Sequence, residues 1–254
     1  MKLQILNTFK CNFKCRHCMF ACGPHFKEMM ERDIFLKVLN CFFYMTRRDD
    51  DYVNLVGGEP FLHPDIFWQI QTLLINFEHV RIVTNGSWIL TPDGNYAKKY
   101  LNLLKLQEKV YIKNLTIAIS NDEFHREFWQ HDFSRMFCAL KNDFGGKVEP
   151  SWFSLHNNII DIGRARENNL GNCNIKMDCN ERFEPTILPN GDVSVCCMGK
   201  QIIGNVRNLM DYESIYKQLK IPEKTSKNCY DCPNYAISCL KYLSNQKQLT
   251  MSTT

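Results

Sequence analysis

The apolar and polar residues of this chain fall into short segments of two alternating kinds. KLQILN, YVNLV, HVRIVT and LTIAIS, at residues 2–7, 52–56, 79–84 and 115–120, read as strands. Between them lie helical patterns: from about Lys27 to Met45, along PDIFWQIQTLLINF from Pro64, around Asn95 to Leu106, and from about Glu123 to Leu140. Pro64 stands in the first turn of its helix, where a missing N–H costs little. VEPSWFSLH reads as a fifth strand. Strands alternating with helices imply βαβ units and a parallel sheet. Five or six such units predict an α/β fold, a partial (β/α)6 TIM-like barrel. In parallel α/β folds the chemistry gathers in the loops that follow the strands. Four polar or glycine-rich loops fall there: Cys11 to Cys18, Gly57-Gly58-Glu59-Pro60, Thr84-Asn85-Gly86 and Ser120-Asn121-Asp122.

Near Gly171 the texture changes. ERFEPTILPNGDVSVCC reads as two short strands joined by the turn Pro189-Asn190-Gly191-Asp192. IIGNVRN follows, then a short helix (DYESIYKQL), a C-x2-C pair and a last helix. The expected organisation is a barrel over residues 1–168, a small β-hairpin-plus-helix domain over 169–243, and a polar tail over 244–254.

Composition narrows the classes. Of 254 residues 44% are apolar and 23% charged, as in a soluble globular protein. A formal charge of +4 permits an anionic cofactor but does not argue for nucleic acid. No apolar run approaches the roughly 18 to 20 residues of a membrane helix. The N-terminus lacks a charged-then-apolar signal pattern, so a cytoplasmic protein is expected. Thirteen cysteines, an odd number, argue against a disulfide framework and for metal or cluster ligands. They crowd at the two ends of the chain. Cys41 and Cys138, between the crowds, lie in helical segments and read as ordinary buried residues.

Cys11, Cys15 and Cys18 place three soft donors in eight positions. A closed zinc site needs four ligands, and Cys22 would supply the fourth. Against zinc stands the absence of a partner hairpin, and the placement of the loop after a barrel-like strand. A cubane held by three thiolates instead leaves one iron open for an exchangeable ligand. Cys11-x3-Cys15-x2-Cys18 resembles the signature of the radical S-adenosylmethionine (SAM) enzymes, with His17 where the family usually has another aromatic residue. The resemblance covers roughly residues 5 to 165. It implies a [4Fe–4S] cluster on Cys11, Cys15 and Cys18 that binds SAM, splits it with one electron, and so yields a 5′-deoxyadenosyl radical that takes a substrate hydrogen. It further implies that Gly57, Gly58 and Glu59 hold the SAM amino group, that Asn85 lies in a strand-end motif common in the family, and that Ser120 and Asp122 contact its ribose or carboxylate. Read by themselves, GGEP and TNG are turns, and Ser120 or Asp122 is a helix cap. Arg164 or Arg166, in GRARENN, faces SAM or substrate on this reading, or forms a surface salt bridge.

Cys179 and Cys196 flank the C-terminal hairpin, and Cys229 and Cys232 form the C-x2-C pair. Their spacing resembles the SPASM and twitch domains of radical SAM enzymes. It implies one auxiliary [4Fe–4S] cluster on Cys179, Cys196, Cys229 and Cys232, with Cys173 or Cys239 as possible substitutes and a structural zinc as the other reading. If Cys196 faces the cluster, strand alternation turns Cys197 the other way, as a hydrogen donor to a substrate radical or a packed residue of the hairpin.

The expected function is modification of a ribosomally made peptide, epimerisation above all, with a reduced flavodoxin- or ferredoxin-type electron donor. The alternatives are an aminocyclitol or carbohydrate dehydrogenase or epimerase acting on a small molecule, and a zinc-stapled binding module with no catalysis. Neither nucleic acid nor membrane is an expected partner.

Overall fold

A computed structural model of the chain describes residues 2–42, 52–92, 97, 115–144, 147–151, 163–170, 185–194 and 202–208. The expected helix at 95–106, the C-terminal helices, and Cys173, Cys179, Cys196, Cys197, Cys229, Cys232 and Cys239 lie outside those residues.

The four strands read from the sequence form β1 (Lys2–Leu6), β2 (Tyr52–Val56), β3 (His79–Thr84) and β4 (Leu115–Ser120), followed by β5 (Lys147–Ser151). Neighbouring strands run parallel in chain order, with Ile5 beside Leu55, Leu55 beside Ile82, and Ile82 beside Ile117. Parallel neighbours need crossover connections, and these carry the helices α1 (Arg32–Phe42) and α2 (Ile66–Asn76). After β4 come α3 (Glu123–Arg126) and α4 (Phe133–Asp143).

The sheet's two faces differ sharply. Leu3, Ile5, Val53, Leu55, Val80, Ile82, Leu115, Ile117 and Ile119 point to one side and form a single core with Phe35 and Val38 of α1, Ile70 and Leu73 of α2, and Met136 and Leu140 of α4. Each such side chain, withdrawn from water, contributes about 1.5–3 kcal/mol. Alternation turns Gln4, Asn54, Arg81 and Thr116 to the other side.

The C-terminal hairpin joins the same sheet. β6 (Thr186–Ile187) lies parallel to β1, and β7 (Asp192–Ser194) and β8 (Ile202–Asn205) extend it antiparallel, giving the order β5-β4-β3-β2-β1-β6-β7-β8. Gly191 makes the turn at φ +88, the left-handed backbone that glycine adopts freely.

Three expectations need correction. The helix expected from Lys27 starts at Arg32, because residues up to Met30 run back along the chain leaving β1, with Met30 N donating to Asn7 O at 2.7 Å. The helix expected over Glu123 to Leu140 is broken in two. Asp132 caps the second piece by accepting from Arg135 N at 2.8 Å, and Trp129 in the connection donates its indole N–H to Asn85 O at 2.9 Å. Cys138 is exposed rather than buried. It lies two residues from both Met136 and Leu140, which puts it on the far side of α4. Among the described residues, no helix is long and apolar enough to cross a membrane.

Candidate metal and cofactor site

The chain leaving β1 makes a pinned excursion. Cys11 N donates to Gly23 O at 3.1 Å, Gly23 N to Phe9 O at 3.3 Å, and Thr8 Oγ1 to Glu28 O at 2.8 Å. Within it, Cys18 N bonds Cys15 O and Ala21 N bonds Cys18 O, two successive tight turns. Cys11, Cys15 and Cys22 are buried with Phe13 and Phe124 in a small apolar cluster apart from the main core, and Cys18 packs against it. The three cysteines of the sequence motif therefore share one nearly dry pocket.

Their ionisation is resisted there. Burial pushes the Cys11 thiol up to about 12, and the Glu59 charge adds to the effect. Burial also raises Cys15, with Cys11 and Cys18 adding to it. Cys18 moves the other way, lowered by the hydrogen bond from Cys22 and by Arg164, and Cys22 is raised by that same bond. Donors are already aimed at sulfur: Phe13 N lies 3.3 Å and Asn85 Nδ2 3.7 Å from Cys11 Sγ. Soft donors in a dry pocket, with N–H groups on a sulfur, suit an iron–sulfur cluster.

The loop after β2 is docked directly on this excursion. Gly58 N donates to Thr8 O at 2.7 Å and Glu59 N to Lys10 O at 2.9 Å. The approach leaves no room for a side chain: a Cβ on Gly58 would overlap Lys10 O and come within 2.9 Å of Cys11 Cβ. The two glycines thus fit the cysteine loop itself. Glu59 is fully buried, and its carboxylate accepts from Phe61 N (3.1 Å), Thr84 Oγ1 (2.7 Å) and Asn85 N (2.7 Å). Burial still pushes this carboxyl up to about 7, although all three bonds favour its charged form. Asn85, held this way, turns its amide to Cys11 Sγ and to Asn12 Oδ1 at 2.9 Å.

From the far side Arg164 braces the same excursion, with Nε 2.9 Å from Cys15 O, Nη1 2.8 Å from Ala21 O, and its backbone N on Cys18 O. It sits in α5 (Gly163–Glu167), which opens on Gly163 at φ +53, pressed against Cys18 and Met19 carbonyls where a Cβ would collide. Ser120 is buried at the end of β4. Asp122 caps α3, accepting from His125 N at 3.0 Å and His125 Nδ1 at 2.7 Å. Burial alone would raise Asp122, but the His125 bonds and the nearby His17 hold it below the usual carboxylate range. His17 stacks on Phe124 at 4.5 Å; burial lowers it to about 4, so it is neutral at pH 7, and its Nδ1 has no partner. His17, Asp122 and His125 each bring one ligand atom within 4.8 Å of the others.

The structure thus gathers Cys11, Cys15, Cys18, Gly57, Gly58, Glu59, Asn85, Asp122 and Arg164 around one loop. Sequence reading missed Trp129, Asn12 and His125. No local signal marks them, since Trp129 and His125 sit in what reads as one continuous helix. The auxiliary-site cysteines and Cys197 lie outside the described residues.

A family model described as the radical SAM superfamily matches residues 6–147. The chain belongs to that superfamily. The radical SAM match covers every loop just described except that of Arg164. Among curated relatives, the antilisterial bacteriocin subtilosin biosynthesis protein AlbA of Bacillus subtilis is 27% identical over 123 residues, 48% of this chain and 25% of that protein. An S-adenosylmethionine-dependent nucleotide dehydratase of a Fibrobacter species is 33% identical over 92 residues, 32% of this chain and 26% of that protein. These matches span about a quarter of each relative. Among solved structures, BtrN in complex with AdoMet and 2-DOIA has a TM-score of 0.55 at 16% identity, over 91% of this chain and 92% of that one. Native anSMEcpe with bound AdoMet has a TM-score of 0.52 at 15% identity, over 82% and 78%. At these identities the likeness is one of fold. A radical SAM enzyme implies a [4Fe–4S] cluster and SAM, and the donor set of this pocket fits that cluster.

Two predictions follow from the docking. Gly58→Ala forces the two loops apart; the variant is expected to keep its circular dichroism spectrum but to retain less iron after anaerobic reconstitution. For Glu59, the folded chain keeps its proton to higher pH than the ordinary carboxyl value of 4.5, so its contribution to stability falls as pH rises from 4.5 to about 7. Glu59→Gln puts an amide where Asn85 N needs an acceptor and is expected to cost about 1–3 kcal/mol at pH 7. Urea unfolding across that range should show the wild type's advantage over Glu59→Gln shrinking as pH rises.

Proposed function

We propose that this chain uses SAM to take a hydrogen atom from a carbon of its substrate. The observation that carries the reading is the convergence of Cys11, Cys15 and Cys18 in one buried pocket, braced by Gly58, Asn85 and Arg164. When bound, a [4Fe–4S] cluster with one open iron supplies the electron that splits SAM into methionine and a 5′-deoxyadenosyl radical. Cys11, Cys15 and Cys18 would hold that cluster. Phe13, Phe124 and Phe9 keep water from the sulfurs. Gly57 and Gly58 fix the height of the cysteine loop over the strand ends, and Glu59 locks Asn85 against Cys11 Sγ. Cys179, Cys196, Cys229 and Cys232 are proposed to hold an auxiliary [4Fe–4S] cluster in a SPASM- or twitch-type region over residues 169–243, after a barrel over residues 1–168. A reduced flavodoxin- or ferredoxin-type protein is the proposed electron donor.

Two substrate classes suit this step. Likeness to a bacteriocin biosynthesis protein supports a ribosomally made peptide. The hydrogen is then taken from Cα, and Cys197 returns one from the opposite face. The resulting thiyl regains its hydrogen as one electron from the donor and one proton from water. A small hydroxylated molecule is the second class, and the polar sheet face opposite the helices favours it. There, the adenosyl radical takes the hydrogen from the carbon that bears a hydroxyl; the O–H proton then goes to water and the remaining electron to the proposed auxiliary cluster, leaving a ketone.

Cys15→Ala is expected to lose the iron of this pocket and at least about a hundredfold of reductive SAM cleavage, read as 5′-deoxyadenosine by liquid chromatography. Retention of that cleavage removes the reading. Product mass in D2O separates the outcomes. An epimerase adds one unit of mass, and Cys197→Ala abolishes the addition. A dehydrogenase product is two units lighter, and Cys197→Ala leaves it in place.

A further inference from the structure

The described helices α1, α2 and α4 pack on one face of the sheet, and the strand ladders align polar side chains on the other. Gln4 stands beside Asn54, Asn54 beside Arg81, and Arg81 beside Thr116. On the other side of Gln4 stands Thr186 of β6, with Ser194 of β7 beside it. Their sequence neighbours Leu3, Ile5, Val53, Leu55, Ile82, Ile117, Ile187 and Val193 all lie in the helix-covered core. The row therefore belongs wholly to the opposite face.

Two members are unsatisfied. Asn54 is 8% exposed and Thr186 0%, yet Asn54 Oδ1 and Thr186 Oγ1 have no hydrogen-bond partner. A buried polar atom left unpaired costs about 1–3 kcal/mol, so two on one row point to a ligand that pairs with them.

Charge narrows the ligand. Arg81 is already engaged, with Nε 2.7 Å from Glu149 Oε1 and Nη2 3.3 Å from Ser151 Oγ. Lys147 Nζ lies 3.1 Å from Glu149 Oε2. Arg81 and Lys147 are thus both paired with Glu149, and neither is left for a phosphate or carboxylate.

Position narrows it further. Gln4 and Asn54 each lie two residues before the end of their strands, about 7 Å below the loops that carry the cysteines and glycines. Thr186 and Asn54 are two strands apart, about 10 Å at the backbone, and their side chains rise from the same face. Hydroxyls on opposite carbons of a six-membered ring, each at hydrogen-bond distance from its partner, span a gap of about this size.

We propose that the row Thr186, Gln4, Asn54 and Arg81 is the floor of the substrate site and that it takes a small, uncharged, polyhydroxylated ring. One hydroxyl donates to Asn54 Oδ1 and another pairs with Thr186 Oγ1, which holds a ring carbon beneath the cysteine loop. The inference rests on the hydrogen-abstraction reading and names its substrate class.

The test uses the full chain, reconstituted with iron and sulfide and loaded with SAM, in calorimetric titrations. The probes are myo-inositol, glucose, myo-inositol 1-phosphate and an uncharged capped tripeptide. A neutral polyol is expected to bind best, and Asn54→Leu and Thr186→Val are each expected to weaken it by about tenfold or more. Without ligand, both variants should unfold at or above the wild-type midpoint, because each removes an unpaired buried atom without removing a bond. Preference for the phosphate ester or the tripeptide, or binding of none of the four, overturns the proposal. So does a clear loss of ligand-free stability in both variants, which means the atoms are already satisfied. Absence of 5′-deoxyadenosine from the wild type with a strong reductant removes the parent reading instead and leaves the titrations to judge the floor.

Discussion

A single carboxylate with no water around it ties this site together. Glu59 is fully buried, and its two oxygens take hydrogen bonds from its own loop and from the loop after β3. Its backbone N–H meanwhile bonds the cysteine loop at Lys10 O. Three strand ends are thereby held in register at one residue. Burial opposes the charge, and the three donors offset that cost only in part, so the carboxyl stays high, at about 7. A group kept under such conditions makes sense when it positions something else, and what it positions is Asn85 against the sulfur of Cys11.

The cysteine loop shows the same economy. Burial and mutual repulsion disfavour the thiolates of Cys11 and Cys15, while Cys18 alone moves the other way. The loop is held by backbone instead: to Gly23 and Glu28 at its base, to the Gly58-Glu59 backbone on one flank, and to Arg164 on the other. A scaffold fixed independently of its ligand atoms can present three sulfurs in one place, while the charge they need arrives with the metal.

Behind the loops, the sheet divides labour between its faces. One face buries leucine, isoleucine and valine under helices and supplies stability. The other carries amides, hydroxyls and an arginine paired with Glu149. The C-terminal hairpin enters this arrangement because β6 adds to the free edge of β1, which places Thr186 on the row that starts from β2 and β3.

Much of this was legible in the residues. Strand runs such as HVRIVT and LTIAIS are apolar, bounded by turn residues and too short to be helices, so their limits match the structure closely. The cysteine spacing is local chemistry, readable without a fold. Contacts made at a distance were not legible. The helix expected from Glu123 breaks because Trp129 reaches Asn85, forty-four residues away. Arg164 looked like a surface or cofactor residue, and only packing against the loop of Cys15 and Ala21 assigns its guanidinium. The glycines of GGEP read as cofactor contacts or a turn, whereas a side chain there would strike the cysteine loop. Period and spacing along the chain therefore determined the elements and the soft-donor motif, because both depend on neighbours within a few residues. Which strand edges meet, which backbone needs room, and which polar atoms are left without partners depend on segments far apart in sequence, and only the tertiary structure decided them.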